Sequence, residues 1–304
     1  MTQTSKPLSV VVAYRGIPHA RGWATGASLA RAFRRLGHEV FEYGNYYLTP
    51  EPLQEGDAPK EPDLLVFTEC NDEDRPYYEL KKMKAGARVY WDFDIDNGRW
   101  DITSKLINKV GFDVIFHANK RYNEKLQKLA KSKAVFLPYA YDDEHFFPDS
   151  KIKKTVDAGL VGTPYDARRE YATRLKELGV DLQFISGVYR EDLRKAINGL
   201  KIHLNLNIFG PGGDGLLVGR VWETIGCGTF LLNQRKDFIE DFFEDGKHLV
   251  LFDNEQDCTE KIKYYLKNDK EREKIARQGW EHGQKHHTYM ARAKTIIKEA
   301  GLET

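Results

Sequence analysis

The chain has 304 residues, of which 41% are hydrophobic and 31% are charged, and its formal net charge is +1. This length and composition are typical of a soluble globular protein with two domains of ordinary size. A net charge this close to zero excludes a global electrostatic attraction to nucleic acids or membranes, so a nucleic-acid partner is not expected.

Strand and helix patterns alternate in the first half of the chain. The apolar run 8–14 predicts a buried parallel strand, residues 24–37 have the apolar spacing of a helix that ends at Gly37, and 38–43 predicts the next strand. A further helix is predicted over 119–131, and further strands are predicted over 63–69, 87–94, 112–118 and 134–140. This order is typical of a doubly wound α/β sheet.

A polar, proline-containing segment at 141–156 indicates a linker or hinge before a second alternating series. The strands of this series are predicted over 158–162, 180–187, 200–208, 229–234 and 247–252. Its helices are predicted over 167–179, 190–198, 218–228, 258–286 and 287–301. The two series therefore predict two consecutive doubly wound domains.

The three cysteines, Cys70, Cys227 and Cys258, are widely spaced, and none belongs to a CxxC pair. This pattern argues against a disulfide framework and against a thiolate zinc site. The N-terminal MTQTSKP precedes no signal-like apolar run, and no apolar stretch approaches the roughly 20 residues of a membrane span. We therefore expect a cytoplasmic protein without a membrane span.

A glycine-rich loop precedes the helix predicted over 218–228, and it contains Gly213 and Gly215. Glycines let the backbone approach a ligand closely, and the helix N-terminus presents free N–H groups to an anion. Glu223 on this helix is placed to accept hydrogen bonds from a ribose diol, and Arg220 to offset phosphate charge. The alternative is a flexible loop followed by an exposed Glu–Arg pair.

Asn205 and Asn207 end the strand that leads into this loop. Ligands of open α/β sheets bind at the carboxyl ends of strands. Both side chains are therefore candidates for hydrogen bonds to a base, a ribose or a phosphate.

The segment Arg220-Val-Trp-Glu223-Thr-Ile-Gly-Cys-Gly-Thr-Phe-Leu-Leu resembles the donor-binding signature of the retaining GT-B glycosyltransferases of family 4. More closely, it resembles the group named for the spore-maturation protein CgeB. Residues 241–252 and 287–293 resemble the segments that follow in such enzymes, and the resemblance extends over about residues 158–300.

The resemblance implies a GT-B fold of the α/β class, with two facing Rossmann-like doubly wound domains and a cleft between them. Residues 1–148 then form the N-terminal acceptor domain, and residues 149–286 form the domain that binds the nucleotide-sugar donor. The C-terminal helix, from about 287 to 304, is expected to cross back to the N-terminal domain.

The chain departs from the family at one position. Family 4 enzymes carry two glutamates eight positions apart; the second aligns with Glu223, whereas the first falls on Gly215. The neighbouring Asp214 is the candidate replacement, although its side chain is one methylene shorter and one residue away.

Residues 160–171 resemble the strand-to-helix turn of the family. The predicted strand ends at Gly162 and is followed by Thr163, and the resemblance places Arg168 and Arg169 where their charge reaches the donor diphosphate. Cations and helix dipoles would then stabilise the leaving group without a metal ion. The alternative is that both arginines lie on the solvated face of a helix.

The loop at 15–26 follows the first strand and contains Arg15, Gly22 and Trp23. By resemblance this loop faces the cleft and binds the acceptor and the donor phosphate. Gly22 would allow close backbone approach, and Trp23 would stack on a sugar. The alternative is an ordinary turn with a packed tryptophan.

The segment 91–101 contains four carboxylates at the end of a predicted strand, and alternation places Asp92, Asp94 and Asp96 on one strand face. The segment resembles a DxD metal motif, but GT-B enzymes generally bind no metal in this way, and EF-hand spacing lacks its distal glutamate. We expect Asp92 and Asp94 to bind acceptor hydroxyls or line the cleft. Surface acidity and a bound cation are the alternatives.

His117 follows the apolar run of the strand predicted over 112–118. By resemblance, a histidine at about this place contacts the transferred sugar. A core or capping histidine is the alternative.

The resemblance, together with these residues, implies a glycosyltransferase that moves a hexosyl or pentosyl group from a nucleoside-diphosphate sugar to an acceptor hydroxyl, without a metal and with retention. Glu223, Asp214, His117 and Asp94 are the candidate catalytic residues. The expected co-substrate is a UDP-sugar, no other cofactor is expected, and the acceptor is a glycan, a protein or a small molecule. The alternatives are an epimerase-like or hydrolase-like GT-B enzyme and a non-catalytic nucleotide-sugar binding protein.

Overall fold

The structure is a computed structural model of the chain. It describes residues 6–16, 23–45, 57–68, 80–93, 100–129, 133–207, 218–236 and 238–303. The chain divides into two compact units. Unit 1 comprises Met1–Pro138 and Tyr289–Thr304, and unit 2 comprises Tyr139–Thr288. The last helix therefore belongs to unit 1, although it follows unit 2 along the chain.

Unit 1 is built on a six-stranded parallel sheet. Its strands are β1 (Ser9–Ala13), β2 (Glu39–Tyr43), β3 (Leu64–Thr68), β4 (Ala87–Asp92), β5 (Val114–His117) and β6 (Lys133–Phe136). Its helices are α1 (Thr25–Arg35), α2 (Trp100–Val110), α3 (Asn123–Leu129) and α9 (Tyr289–Glu299), with short 3-10 turns at Leu80–Lys82 and Lys120–Tyr122. The strand order is β2-β1-β3-β4-β5-β6.

Unit 2 is built on a five-stranded parallel sheet. Its strands are β7 (Val156–Val161), β8 (Gln183–Ile185), β9 (Leu200–Asn205), β10 (Phe230–Gln234) and β11 (Val250–Phe252). Its helices are α4 (Asp166–Glu177), α5 (Arg190–Asn198), α6 (Gly219–Gly226), α7 (Glu255–Lys267) and α8 (Asp269–His286), with a 3-10 turn at Ile239–Asp241. The strand order is β11-β10-β9-β7-β8.

Both sheets wind in the same way. In each unit the second strand lies on one side of the first, and the third strand lies on the other side. The direction of winding therefore reverses between β1 and β3 in unit 1, and between β7 and β9 in unit 2. In open α/β sheets, ligands bind at the carboxyl ends of the strands beside such a switch point. The doubly wound parallel sheets predicted from the sequence are confirmed.

The central strands of unit 1 show why the sequence folds in this way. Val10, Val11 and Val12 of β1 are fully buried, as are Leu64 to Phe67 of β3. A strand covered on both faces requires a continuous apolar run, and both strands supply one.

None of the helices within the described ranges is long and apolar enough to cross a membrane.

Two predicted elements require correction. The single helix predicted over 258–286 is two helices, α7 and α8, separated by Asn268, whose φ of −114° and ψ of 62° are not helical. The Asn268 side chain donates to the Tyr264 carbonyl oxygen at 2.8 Å. The strand predicted over 87–94 ends at Asp92, and helix α2 follows the acidic segment, where no helix was predicted.

Helix α8 packs very closely against its neighbours through two glycines. A Cβ atom at Gly279 would lie 2.1 Å from the carbonyl oxygen of His248, and one at Gly283 would lie 2.6 Å from Cγ2 of Ile225 on α6. A side chain at Gly279 would therefore push α8 away from the backbone at His248, and one at Gly283 would push it away from α6. The glycines, four residues apart, share one face of α8.

Replacement of Gly279 by alanine is expected to lower the free energy of unfolding by about 1–3 kcal/mol, because the new methyl group meets a backbone carbonyl that has little room to move. This loss exceeds the ~1 kcal/mol that alanine gains over glycine in helix propensity. Urea denaturation measures the effect. Gly219→Ala is the control, since no atom of the described residues lies within 4 Å of its Cβ position. Equal unfolding midpoints for both variants would contradict the close approach.

Candidate functional site

The switch point of unit 2 opens between the ends of β7 and β9. The paired residues of these strands end at Gly159 and His203, although β7 continues to Val161 and β9 to Asn205. Asn205 pairs instead with Asn233 of β10. Beyond Gly159, side chains join the two strands.

Arg168 of α4 bridges the two strand ends. Its Nη1 donates to the carbonyl oxygen of Thr163 at 3.0 Å, and its Nη2 donates to that of Leu206 at 3.3 Å. Thr163 follows β7 and Leu206 follows β9, so the guanidinium spans the gap. The residue is 8% exposed, and its Nε has no partner among the described residues.

The charge of Arg168 is not neutralised locally, because it forms no ion pair with a described carboxylate. Burial lowers its pKa from the ordinary value, Tyr165 opposes this change, and the Arg220 guanidinium adds to it. Gly162 has a φ of +153°, and a Cβ atom there would lie 3.1 Å from Nη1 of Arg168. The glycine therefore lets the guanidinium pack against the turn that follows β7.

Arg169, predicted with Arg168 to reach a diphosphate, has different surroundings. It is exposed, and its Nε donates to the Pro164 carbonyl oxygen at 2.8 Å. The alternative of a solvated helix face therefore describes Arg169 but not Arg168.

Arg220 and Glu223 form an ion pair on α6, with Nη1 of Arg220 2.5 Å from Oε2 of Glu223. The two side chains are 23% and 22% exposed. Helix α6 begins after Val218, which provides no capping side chain, and its first turn contains no acidic residue. The positive end of the helix dipole is therefore uncompensated by these residues.

Asn205 and Asn207 form a buried amide network with Asn233. Nδ2 of Asn205 donates to Oδ1 of Asn207 at 2.9 Å and to Oδ1 of Asn233 at 2.6 Å. Nδ2 of Asn207 and Nδ2 of Asn233 both donate to the Gln234 carbonyl oxygen, at 3.2 Å and 2.7 Å. The network joins the ends of β9 and β10. Contact of Asn205 or Asn207 with a ligand stays a prediction.

His203 of β9 and Thr224 of α6 belong to the same region and were not predicted as site residues. Nε2 of His203 lies 3.3 Å from the Val161 amide nitrogen, and Nδ1 lies 2.6 Å from Oγ1 of Thr224. Both side chains are fully buried. A histidine between the apolar residues Ile202 and Leu204 is the sequence signal that marks this position.

In unit 1, Asp92 and His117 lie at the carboxyl ends of β4 and β5. Asp92 is 3% exposed and accepts hydrogen bonds from Oγ1 of Thr103 at 2.7 Å and from the Tyr90 hydroxyl at 3.3 Å. Asp92 is therefore an internal carboxylate that joins β4 to α2. A contact with an acceptor stays a prediction.

His117 is fully buried at the end of β5, and its ring contacts the first residue of α3. Its Nδ1 lies 2.8 Å from the Asn119 carbonyl oxygen, and its Nε2 lies 2.8 Å from Oδ1 of Asn123. Burial lowers its pKa, whereas the hydrogen bonds to Asn123 and Asn119 raise it. These contacts favour the capping role, because both ring nitrogens face protein groups.

Arg15 and Trp23 are both partly buried, after β1 and before α1 respectively. The other predicted site residues, Gly22, Asp94, Gly213, Asp214 and Gly215, lie outside the described residues, as does Asp96. Within the described ranges, no group of three or more histidine, cysteine or acidic residues is arranged to hold a metal ion.

Several solved structures are similar to the chain. An α-glucosyltransferase in complex with UDP-glucose and DNA containing an abasic site has a TM-score of 0.68 at 10% identity, over 97% of this chain and 100% of that chain. Sucrose-phosphate synthase from Thermosynechococcus elongatus has a TM-score of 0.62 at 10% identity, over 95% and 98%. HepE of Anabaena in complex with UDP and glucose has a TM-score of 0.58 at 11% identity, over 95% and 98%.

At such low identity these likenesses show the fold, and they confirm the predicted GT-B class. No curated protein matches the chain significantly in sequence. The sequence family described as glycosyl transferase-like matches residues 144–298. This range covers just over half of the chain and includes Arg168, Arg220 and Glu223. The chain therefore belongs to the glycosyl transferase-like family.

Proposed function

We propose that the protein is a glycosyltransferase that binds a UDP-sugar at the switch point of unit 2 and transfers the sugar to an acceptor hydroxyl. The observation that carries this proposal is the buried Arg168 guanidinium, which has no carboxylate partner among the described residues and lies near Arg220. Family membership supports glycosyl transfer. Two similar structures contain UDP or UDP-glucose.

The charges around the switch point fit a diphosphate. Arg168 and Arg220 contribute two positive charges and Glu223 one negative charge, so one positive charge remains in excess. The N-terminus of α6 adds N–H groups and a positive dipole end, which together favour a phosphate anion. This arrangement stabilises the diphosphate leaving group without requiring a metal ion.

Glu223 is proposed to bind the donor ribose. Its ion pair with Arg220 uses Oε2 and orients the carboxylate. The other oxygen, Oε1, then accepts a hydrogen bond from a ribose hydroxyl. Charged hydrogen bonds of this kind contribute about 1.5–3 kcal/mol.

The reaction is proposed to retain the anomeric configuration, in keeping with the resemblance to family 4 and its CgeB-like group. The bond between the anomeric carbon and the diphosphate oxygen breaks, a bond to the acceptor oxygen forms, and the leaving phosphate takes the acceptor proton. The protein then contributes positioning and electrostatic stabilisation. Acceptor binding by the N-terminal domain, and Asp214 in place of the absent first glutamate, belong to the same proposal.

Thermal unfolding with a panel of UDP-, GDP-, ADP- and CDP-sugars tests donor binding. We expect UDP-sugars to stabilise the protein, by about 2.7 kcal/mol at 100 times the dissociation constant. EDTA should not change this stabilisation, because arginine side chains, and not a metal ion, bind the diphosphate. If no member of the panel stabilises the protein, the proposal is wrong.

Turnover of the donor that binds tests catalysis. We expect UDP release from the bound UDP-sugar to accelerate when a suitable acceptor hydroxyl is added, with a product of the same anomeric configuration as the donor. Binding without any UDP release would indicate a nucleotide-sugar binding protein, and an inverted product would contradict retention.

A further inference from the structure

A buried chain of three hydrogen bonds connects β7, β9 and α6 beneath the proposed donor site. The Val161 amide lies 3.3 Å from Nε2 of His203, Nδ1 of His203 lies 2.6 Å from Oγ1 of Thr224, and this hydroxyl lies 2.7 Å from the Arg220 carbonyl oxygen. His203 and Thr224 are both fully buried. Neither side chain is therefore exposed for contact with a ligand.

The backbone groups at its two ends fix the direction of every bond in this chain. A backbone N–H only donates and a carbonyl oxygen only accepts. Nε2 of His203 therefore accepts from Val161, Nδ1 carries the proton and donates to Thr224, and the Thr224 hydroxyl donates to Arg220.

The same directions require a neutral His203. A proton on Nε2 would face the N–H group of Val161 and break the chain. Burial, together with the nearby Arg220 and Arg168 guanidiniums, lowers the pKa of His203 to about 3. The arrangement thus persists at neutral pH.

The two ends of this chain of hydrogen bonds belong to the proposed donor site. Val161 is the last residue of β7, directly before the Gly162 turn against which Arg168 packs. The Arg220 carbonyl belongs to the turn of α6 that carries the Arg220 and Glu223 side chains. The backbone pairing of β7 with β9 ends at Gly159 and His203. Beyond this pair, the hydrogen bond from the Val161 amide to the His203 imidazole joins the two strands.

The hydrogen bond from Thr224 to Arg220 alone would be an ordinary contact within a helix, since threonine hydroxyls often bond to the carbonyl four residues earlier. The bond from His203 adds a connection between α6 and the sheet.

We propose that His203 and Thr224 are positioning residues of the donor site. They fix the distance between the first turns of α6 and the end of β7. In this way they set the spacing between the Arg220–Glu223 pair and the Arg168 guanidinium. This inference rests on the proposed function, because the spacing matters only if a nucleoside diphosphate binds there.

Thr224→Val is the direct test, since valine keeps the shape of threonine and removes the hydroxyl. UDP is the probe, and its dissociation constant is measured by calorimetry on protein that unfolds cooperatively. We expect UDP to bind about tenfold more weakly, because His203 loses its acceptor and α6 its link to the sheet. Thr224→Ser should bind UDP as the unaltered protein does, because serine restores the hydroxyl.

Thr229→Val is the matched control. Thr229 is also buried in unit 2, and its hydroxyl donates to the Ile197 carbonyl oxygen at 3.0 Å, at the opposite end of the sheet. It should lose stability to a similar extent while UDP binding is unchanged. If Thr224→Val does not fold, His203→Gln serves instead with the same expected loss of UDP affinity, because the longer amide keeps an acceptor for Val161 and loses the donor to Thr224.

Two results would overturn the inference: UDP affinity within twofold of the unaltered protein in Thr224→Val, or an equal weakening in Thr229→Val. Failure of the unaltered protein to bind UDP or any nucleotide sugar would instead refute the proposed function. The measurement on the unaltered protein separates the two failures.

Discussion

Replacement of Glu223 by glutamine is expected to weaken UDP binding by about tenfold. The variant keeps the size of the side chain and removes its charge, so that a charged hydrogen bond to the ribose, worth about 1.5–3 kcal/mol, becomes a neutral one. It also leaves Arg220 without its carboxylate partner, which raises the positive charge at the switch point. Binding of inorganic pyrophosphate should therefore stay the same or become tighter.

Weaker binding of UDP without weaker binding of pyrophosphate distinguishes the loss of a ribose contact from a general disruption of the site. A second probe is UDP whose ribose lacks both the 2′ and 3′ hydroxyls, for which Glu223→Gln should change affinity less than threefold. Calorimetric titration of UDP, the dideoxy analogue and pyrophosphate measures all three. Equal weakening for UDP and for the dideoxy analogue would show that Glu223 does not bind the ribose.

Glu191→Gln is the matched control for Glu223. Glu191 lies on α5 in the same unit, is exposed, and pairs only loosely with Lys195, at 3.9 Å. Exposed pairs of this kind contribute little, so the variant should bind all three probes as the unaltered protein does.

The fold was predictable because its signals are local. The continuous apolar runs of β1 and β3 mark strands buried on both faces, and these strands are indeed fully buried. The position of Glu223 followed from the same kind of pattern, since a strand, a glycine-rich loop and a helix occur in sequence there. The break at Asn268 was missed because the polar run from 267 to 274 contains no glycine or proline that would mark the end of a helix.

The surroundings of Arg168 depend on contacts between distant segments, which composition and loop patterns do not show. Yet a helical signal exists: Arg168, Tyr171 and Leu175 are the buried residues of α4 and occupy positions i, i+3 and i+7. Adjacent helical residues differ by about 100° in direction. This rotation turns Arg168 toward the sheet and Arg169 toward solvent.

His203 was missed for another reason. On β9, Leu200, Ile202 and Leu204 lie on one strand face, whereas His203 and Asn205 lie on the other. The sequence shows that polar side chains enter the core there, but not which partners satisfy them. Those partners, Val161 and Thr224, lie 42 and 21 residues away.

Replacement of Arg168 by methionine is expected to weaken pyrophosphate and UDP binding by about 10- to 100-fold, whereas Arg169→Met should change either affinity less than about threefold. Arg168 places a charge within the protein, where the solvent screens it poorly, and a hydrogen bond between charged groups contributes about 1.5–3 kcal/mol. Arg169 is exposed, and water and salt screen its charge.

Calorimetry at about 50 mM and 300 mM salt distinguishes the two arginines further, because the Debye length shortens as salt increases. Any contribution of Arg169 to pyrophosphate or UDP affinity should disappear at the higher salt concentration, whereas the contribution of Arg168 should persist. Loss of stability in Arg168→Met with pyrophosphate affinity unchanged would mean that this residue only joins Thr163 to Leu206. Equal effects of both variants would mean that the turn attracts anions as a surface patch, and the buried guanidinium would then no longer support a diphosphate site.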